Sequence, residues 1–431
     1  MKQRLVEGVR AVLPAQSVHK LESFYRITRA QVLSARYGYP AKGLRVIAVT
    51  GTNGKTTTIN YINQVLRQAG YRTAMFSTAL IEIDGKTELN DLNATVGTTG
   101  RMQQFFRDAK RAKVDFVVLE ITSHALDQHK LDGVPIEAAI MTNISQDHLD
   151  YHRTMNRYAA AKAILFQNKP RYIVLNRDDE WFDYFDAFEA SEQKMTYGKH
   201  EDAETQIKSV KLFKKGSEAE LVFDHQTNIT LATYLPGDYN ISNMAAAATL
   251  AYLLGVSTED IVEGVANLEG IPGRYQRVID QSPYDVVVDY AHTPDAIEKL
   301  LGSIKATTKN RTILVFGATG DRDQGKRPIM GAIAGRLADR VIITDEESYN
   351  EDPEQIRKGL MEGVIEIGAE AKTTIIPDRR DAIERALSIA REGDTVVVTG
   401  MGHEQFRIVN GERLPWNDVD VVKSLHNEMR L

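Results

Sequence analysis

No cysteine occurs anywhere in the 431 residues. Disulfides, thiolate metal ligands and a cysteine nucleophile are therefore excluded, and a reducing cytoplasm suits the composition. Long apolar runs are missing too. Nothing approaches the roughly 18 residues that a membrane-crossing helix needs, and the opening MKQRLVEGVRAVLPAQ lacks the apolar stretch of a signal peptide. Nor is there an excess of positive charge: the net charge is −6, so no electrostatic footprint for nucleic acid is visible. These absences leave a cytoplasmic chain, expected as a monomer, that handles small molecules and has neither a membrane span nor a nucleic-acid partner.

What is present is ordinary in amount, with 42% hydrophobic and 26% charged residues. The length predicts two or three domains, each able to bury a core. In residues 1–43, Leu21, Phe24, Tyr25 and Ile27 begin a helical face that Val32 and Leu33 continue, and Pro40-Ala-Lys-Gly43 ends it. Arg45–Thr50 reads as a buried parallel strand. Further strands are predicted at Phe116–Glu120, Ala138–Thr142 and Arg171–Leu175, with helical patterns between them, which is the order of an α/β domain with a mostly parallel sheet. Residues 200–235, including Ala219–Phe223, suggest an antiparallel excursion. The alanine-rich Met244–Leu254 returns to helix, and Gly270-Ile-Pro-Gly-Arg274 marks a domain boundary. Strands at Asp285–Asp289, Arg311–Phe316, Arg340–Thr344 and Thr395–Thr399 then predict a second, Rossmann-like α/β domain. The expected division is 1–43, 44–274 and 275–431, with no internal repeat or low-complexity segment.

Chemistry enters between the first strand and the helix predicted over Thr57–Ala69. Gly51 and Gly54 let the backbone of Gly51-Thr-Asn-Gly-Lys-Thr-Thr57 turn tightly and aim N–H groups at phosphate oxygens. Lys55 supplies a point charge for β/γ-phosphates, and the Thr56 hydroxyl suits Mg²⁺. The general pattern would place glycine at 49, where Val49 stands. Glu120 ends a strand, where a carboxylate meets ligands at the crevice of a parallel sheet; alone it would read as a solvated strand end. Thr142-Asn-Ile-Ser-Gln-Asp147-His148-Leu-Asp150 follows the next strand, and Lys162 lies on the helical run Tyr158–Phe166. A carboxylate and a neutral imidazole are fitting metal ligands, although a lone His148 would read as a structural histidine.

These stretches resemble the Mur ligase family of ATP-dependent, amide-forming enzymes. The resemblance runs from about residue 44 to 431. Besides the phosphate loop it is carried by Thr98-Thr99, Glu120-Ile-Thr-Ser-His-Ala-Leu126, Thr142–His152, Asn240-Ile-Ser-Asn243, Pro272-Gly-Arg274, Asp289-Tyr-Ala-His-Thr-Pro294, Gly320–Pro328 and Gly400-Met-Gly-His-Glu404. Within the family the pattern is similar to the branch that adds the third amino acid to UDP-MurNAc-L-Ala-D-Glu. The resemblance implies a P-loop ATPase domain and a C-terminal ligase domain, with ATP phosphorylating a carboxylate that an amine then attacks. It implies that Lys55, Glu120, His148 and Lys162 are catalytic. One Mg²⁺ would be held by Thr56 and Glu120, and a second served by His148 and by Lys162 modified to a carbamate. An ammonium has no lone pair to give a metal, and the alternative is an ordinary exposed lysine. Gly51, Thr52, Asn53, Gly54, Thr57, Asn240, Asn243, Arg274, Asp289 and His292 would complete the nucleotide site, although helix capping alone could explain one of the asparagines. Thr98, Thr99, Ser123 and Lys130 match the acceptor end, with Lys130 where arginine is common.

Two departures from the family pattern bear on substrate. Only about 43 residues precede the first strand, in place of a domain that grips the uridine nucleotide, so a short helical brace is expected there. Diaminopimelate-adding members carry Asp-Asn-Pro-Arg where this chain has Glu346-Glu-Ser-Tyr349. Tyr349 offers no cation to a distal carboxylate, while Glu346 and Glu347 add negative charge. Arg322, Gly400 and Glu404 match the other amino-acid contacts. A lysine-like amino acid is therefore expected, with two solvated loop glutamates as the plainer reading. The competing functions are a Mur-like ligase for a cyanophycin- or folylpolyglutamate-type acceptor and a non-catalytic nucleotide-binding scaffold.

Overall fold

Arg45–Thr50 (β1) is β-branched or apolar along nearly its whole length, and it becomes a central strand of an eleven-stranded sheet. The computed structural model describes residues 15–90, 95–279, 282–409 and 411–429. In that sheet β1 lies between β5 (Phe116–Glu120) and β6 (Ile136–Met141), parallel to both. β2 (Thr73–Phe76) continues the parallel set beyond β5, and β3 (Leu80–Ile83) and β4 (Lys86–Leu89) turn back from it as antiparallel strands. On the other side β7 (Tyr172–Asn176), β8 (Gln193–Gly198) and β9 (Thr205–Phe213) extend the parallel run. β10 (Gly216–Phe223) and β11 (Thr227–Thr233) close it as the expected antiparallel excursion.

The helices Lys55–Gln68 and Asp238–Leu253 cover one face. Ala245, Ala246, Ala247 and Ala248 are wholly buried there, their small side chains permitting a close helix approach. The helices Thr99–Arg111 and Met155–Ala163 cover the other face. The second sheet places β12 (Gln276–Arg277), β13 (Asp285–Asp289), β17 (Thr395–Thr399), β14 (Thr312–Phe316), β15 (Arg340–Ile343) and β16 (Thr373–Ile375) side by side in that order. All its pairs are parallel except β12 with β13. A hairpin of β18 (Phe406–Val409) and β19 (Glu412–Pro415) stands apart. The fold is thus mixed α/β with two sheets, the larger mostly parallel.

Differences from the expected elements are small, with one exception. The first helix begins at Lys55 rather than Thr57, because Gly54 completes the turn. Thr142 leaves β6 to enter the loop that follows. The exception is the N-terminal segment, whose residues 1–14 lie outside the described residues. Ala15–Arg36 is helical, but Leu21, Phe24, Tyr25 and Val32 are exposed, and Ala30 and Ser34 face inward instead. The helix is oriented partly by polar contacts, with Ser23 against His129 at 3.3 Å and Arg26 near Asp127 at 3.8 Å.

Candidate active site

The ends of β1, β5 and β6 lie at one level, with Val49 paired to Glu120 and Thr50 to Met141. The loops leaving these strands therefore meet. Gly54 adopts φ 84°, and a Cβ there would lie 2.1 Å from Asn243 Oδ1, so another residue would be strained and would have to displace the Asn243 side chain. The loop is braced from the third strand. Thr142 Oγ1 and Asn143 Nδ2 both donate to the Asn53 carbonyl, and the Asn53 N–H donates to Asn143 Oδ1 at 2.9 Å. Lys55 folds back over the loop and donates to the carbonyls of Gly51 and Thr52. Burial lowers its pKa, so an arriving polyanion would find a poorly hydrated cation.

Thr56 Oγ1 donates to Glu120 Oε2 at 2.8 Å, and Arg274 Nη2 donates to the same hydroxyl at 3.0 Å. The threonine hydroxyl and the carboxylate are hard oxygen donors that fit Mg²⁺. Among the described residues no three His, Asp or Glu side chains are grouped so as to hold a metal ion by themselves. His148 has φ 56° and lies 3.4 Å from Asp147. Burial pushes its imidazole down to about 3, leaving the neutral form a metal requires. Its ring packs edge-on to His124 at 4.7 Å, within a cluster that includes Tyr151, His152 and Tyr158.

Lys162 is 1% exposed, which overturns the reading of an ordinary surface lysine. It lies beneath the phosphate loop, donating to Gly51 O at 2.6 Å, with Nζ 4.5 Å from the Tyr158 ring centre. Burial, and then the neighbouring Lys55, hold its pKa well below the usual lysine range. It does not line the cleft itself.

That cleft has a volume of about 1030 Å³ and takes walls from both sheets. Thr52, Asn53, Gly54, Lys55, Thr56, Thr57, Glu120, His148, Asn240 and Asn243 line it from the larger sheet's side. Neither asparagine caps the helix Asp238–Leu253, whose N-cap is Gly237. Asn240 instead donates to Pro236 O and accepts from Asn243. From the other side come Asp289 and His292, with Arg274 in the connection between the sheets. The Arg274 guanidinium lies over the Tyr290 ring at 4.5 Å. Asp289 accepts the N–H groups of Tyr275 and Ala291, and burial raises its pKa. His292 is held neutral by burial, down to about 4.

Arg322, Glu347, Tyr349, Gly400 and Glu404 line the same cleft. Glu347 is 7% and Glu346 3% exposed, so neither is the solvated loop carboxylate of the plainer reading. Glu346 lies behind the wall, accepting from Gly317 N and Thr319 Oγ1. Burial raises Glu346 and Glu404 to about 7, with Glu347 adding to the effect on Glu404. Of the expected acceptor residues, Lys130 lines the cleft and donates to Gly97 O. Thr98, Thr99 and Ser123 do not reach it. Thr98 caps the helix Thr99–Arg111, Thr99 is buried, and Ser123 is hydrogen-bonded to His152 at 2.9 Å.

Several residues in or beside the cleft escaped sequence reasoning although they lie inside or next to quoted motifs. Asp147 and Lys326 form a buried pair at 3.2 Å between the two sheets' loops. Burial alone would raise Asp147, but Lys326, His148 and His292 hold it below the ordinary carboxylate range. Asp295 meets Asn53, and His403 meets the Thr78 carbonyl. The motifs marked their neighbourhoods; nothing local marked the pairings.

Comparison with known proteins gives a consistent result. The Mur ligase middle domain family matches residues 49–251, and the Mur ligase, glutamate ligase domain family matches residues 273–402. The chain is 36% identical over 417 residues to the UDP-N-acetylmuramoyl-L-alanyl-D-glutamate--2,6-diaminopimelate ligase of Geobacillus kaustophilus, covering 95% of this chain and 84% of that protein. It is 35% identical over 395 residues to the ligase of the same name from Clostridium botulinum, covering 91% and 80%. A solved structure of a ligase with that name superposes with a TM-score of 0.62 at 36% identity, covering 90% of this chain and 80% of the other. Mycobacterium tuberculosis folylpolyglutamate synthase complexed with ADP and AMPPCP superposes with a TM-score of 0.70 at 20% identity, covering 87% and 92%, a likeness of fold alone.

Proposed function

The chain belongs to the Mur ligase family of ATP-dependent amide-forming enzymes, and on that premise we propose that it adds the third stem-peptide residue to a UDP-MurNAc-L-Ala-D-Glu-type acceptor. One observation carries the reading: Lys55, Thr56, Glu120 and Arg274, three of them linked through the Thr56 hydroxyl, line the same cleft as Arg322, Glu347, Tyr349 and Glu404. We assign residues 44–274 to the ATP-binding domain and 275–431 to the ligase domain. Monomeric action in the cytoplasm belongs to the same proposal, and no described helix is long and apolar enough to cross a membrane.

The acceptor carboxylate oxygen attacks the γ-phosphorus and ADP leaves. The amine then attacks the acyl-phosphate carbon, inorganic phosphate departs, and the ammonium proton is lost. Gly51, Thr52, Asn53, Gly54 and Thr57 shape the phosphate cradle, and Lys55 neutralises the β/γ-phosphates. Thr56 and Glu120 would hold one Mg²⁺, which neutralises phosphate charge when bound. His148 and Lys162 would serve a second. The depressed basicity of Lys162 supports its carbamylation, since a neutral amine has the lone pair that adds to CO₂ with loss of a proton. Asn240 and Asn243 face the nucleoside, while Arg274, Asp289 and His292 meet the nucleotide from the ligase side. A cleft walled by both sheets shields the acyl phosphate from water. Lys130 would contact the acceptor, with Thr98, Thr99 and Ser123 supporting that end from behind.

The relatives are named for 2,6-diaminopimelate. For this chain we favour an amino acid whose side chain ends in an amine alone, such as lysine or ornithine. Arg322 would take the α-carboxylate, and Glu347 and Glu404 would attract the distal ammonium, with Gly400 forming the floor and Glu346 the layer beneath. Tyr349, whose hydroxyl is 3.2 Å from Glu347, has no charge for a distal carboxylate. Mass spectrometry of products from ATP, Mg²⁺, UDP-MurNAc-L-Ala-D-Glu and mixed amino acids tests both halves. A lysine adduct is expected; clear preference for diaminopimelate overturns the charge argument. No adduct at all with this acceptor would shift the reading to a cyanophycin- or folylpolyglutamate-type substrate.

A further inference from the structure

The backbone of Thr78 is held from both sides of its Cα. Its N–H donates to Glu120 Oε2 at 2.8 Å, and its carbonyl lies 3.0 Å from His403 Nε2. Thr78 follows β2 of the larger sheet, whereas His403 follows β17 of the smaller one. The backbone of one residue therefore joins the carboxylate beside the phosphate loop to the loop that carries Gly400 and Glu404.

The roles of the two ring nitrogens follow from the partner. A carbonyl only accepts, so Nε2 bears the proton and donates. Burial pushes the imidazole down to about 3, so the ring is neutral and Nδ1 is a bare acceptor. Nδ1 is buried and has no hydrogen-bond partner among the described residues, so the ring is oriented through Nε2 alone. Packing limits its movement. His403 is 4% exposed, its ring centre lies 5.0 Å from that of Tyr290, and a Cβ on Gly273 would come within 2.2 Å of the His403 backbone nitrogen.

Glu120 Oε2 receives the Thr78 N–H together with the Thr56 hydroxyl, so the direction of the carboxylate depends on where the backbone of Thr78 is pinned, and His403 pins it at the carbonyl. We propose that His403 is a positioning residue for Glu120, acting through the backbone of Thr78 to aim the carboxylate at Thr56 only when the two sheets are docked across the cleft. Loading of the nucleotide end is thereby tied to the loop of the amino-acid end. The inference rests on the proposed role of Glu120 in holding the nucleotide's cation.

The test uses full-length wild type, His403→Leu and His403→Gln, with ADP release measured against Mg²⁺, ATP and amino-acid concentration. His403→Leu should raise the half-saturating Mg²⁺ concentration about 5- to 10-fold, the worth of one neutral hydrogen bond, with the amino-acid KM changed less than about twofold. His403→Gln keeps an N–H at nearly the position of Nε2 and should restore wild-type Mg²⁺ dependence. An unchanged Mg²⁺ dependence in His403→Leu, a shift in amino-acid KM alone, or failure of His403→Gln to restore it would each overturn the positioning role. Wild-type turnover that survives Glu120→Ala would instead overturn the reading of Glu120 itself, and with it the inference.

Discussion

Asn53, at the tip of the phosphate loop, donates its side-chain N–H to the Asp295 carboxylate at 2.8 Å across the cleft. Thr293 Oγ1 returns a bond to Asn53 Oδ1 at 3.3 Å. Asp295 lies in the first turn of the helix Pro294–Thr307, where the helix dipole favours a carboxylate. The loop that would cradle phosphates is thus gripped from the opposite sheet. Asp295→Ala should raise the KM for ATP about 3- to 10-fold, the scale of one charge-assisted hydrogen bond, with the melting temperature nearly unchanged. An ATP KM within twofold of wild type would show that the contact is incidental.

Lys55 precedes Thr56 in the chain and Glu120 accepts the Thr56 hydroxyl; we propose the first as the cation for phosphate and the second as the carboxylate for its counter-ion. Removing either leaves developing charge uncompensated inside a water-poor cleft. Lys55→Ala and Glu120→Ala should each lower kcat by about 10²-fold or more, measured as amide product per enzyme. Turnover surviving both substitutions would overturn the catalytic reading of these two residues.

Lys162 has its lone pair available because burial and Lys55 disfavour the ammonium form. With ¹³C-bicarbonate, the wild-type protein should show a carbamate resonance that Lys162→Ala lacks. Short carboxylic acids should partly restore amide formation to Lys162→Ala by replacing the lost anionic oxygens. Identical spectra for the two proteins would leave the second cation without this ligand.

Glu346 has a pKa raised from 4.5 to about 7 by burial, with Asp418 adding to it and Arg379 opposing it. Folding therefore favours the protonated form. The stability this contributes is complete below about pH 4.5 and is lost as pH rises through about 7. Glu346→Gln never ionises, so it should be more stable than wild type at pH 8 by up to about 3 kcal/mol, with the gap shrinking towards pH 5. Urea melts at the two pH values check this; a gap independent of pH would mean that Glu346 is ionised throughout. Glu404 is raised to a similar value, so the KM of an amino acid with a cationic side chain should fall as pH rises through about 7.

The larger elements were legible because their signals are local. Phe116–Glu120, Asp285–Asp289 and Thr395–Thr399 are strands with the bounds their apolar runs predicted. The helix around Leu21 and Phe24 was legible as a helix and misread in its facing, since periodicity marks an apolar face without naming what covers it. Burial of Glu346 and Glu347 was equally invisible, because two adjacent glutamates on a loop look solvated until Gly317 and Ile408 supply the N–H groups that hold them.

By itself the sequence determined that Gly51–Thr57 turns between a buried strand and a helix, since glycine geometry and strand–helix alternation are properties of neighbouring residues. It also placed Glu120 at the end of one strand and His148 in the stretch that follows the next strand along the chain. Only the tertiary structure decided that Asn53 meets Asp295, that Asp147 meets Lys326 and that His403 reaches the Thr78 carbonyl, pairs separated by 242, 179 and 325 positions. Such partners are chosen by how two sheets pack against each other, and that packing is the summed outcome of burial over the whole chain rather than of any stretch of it.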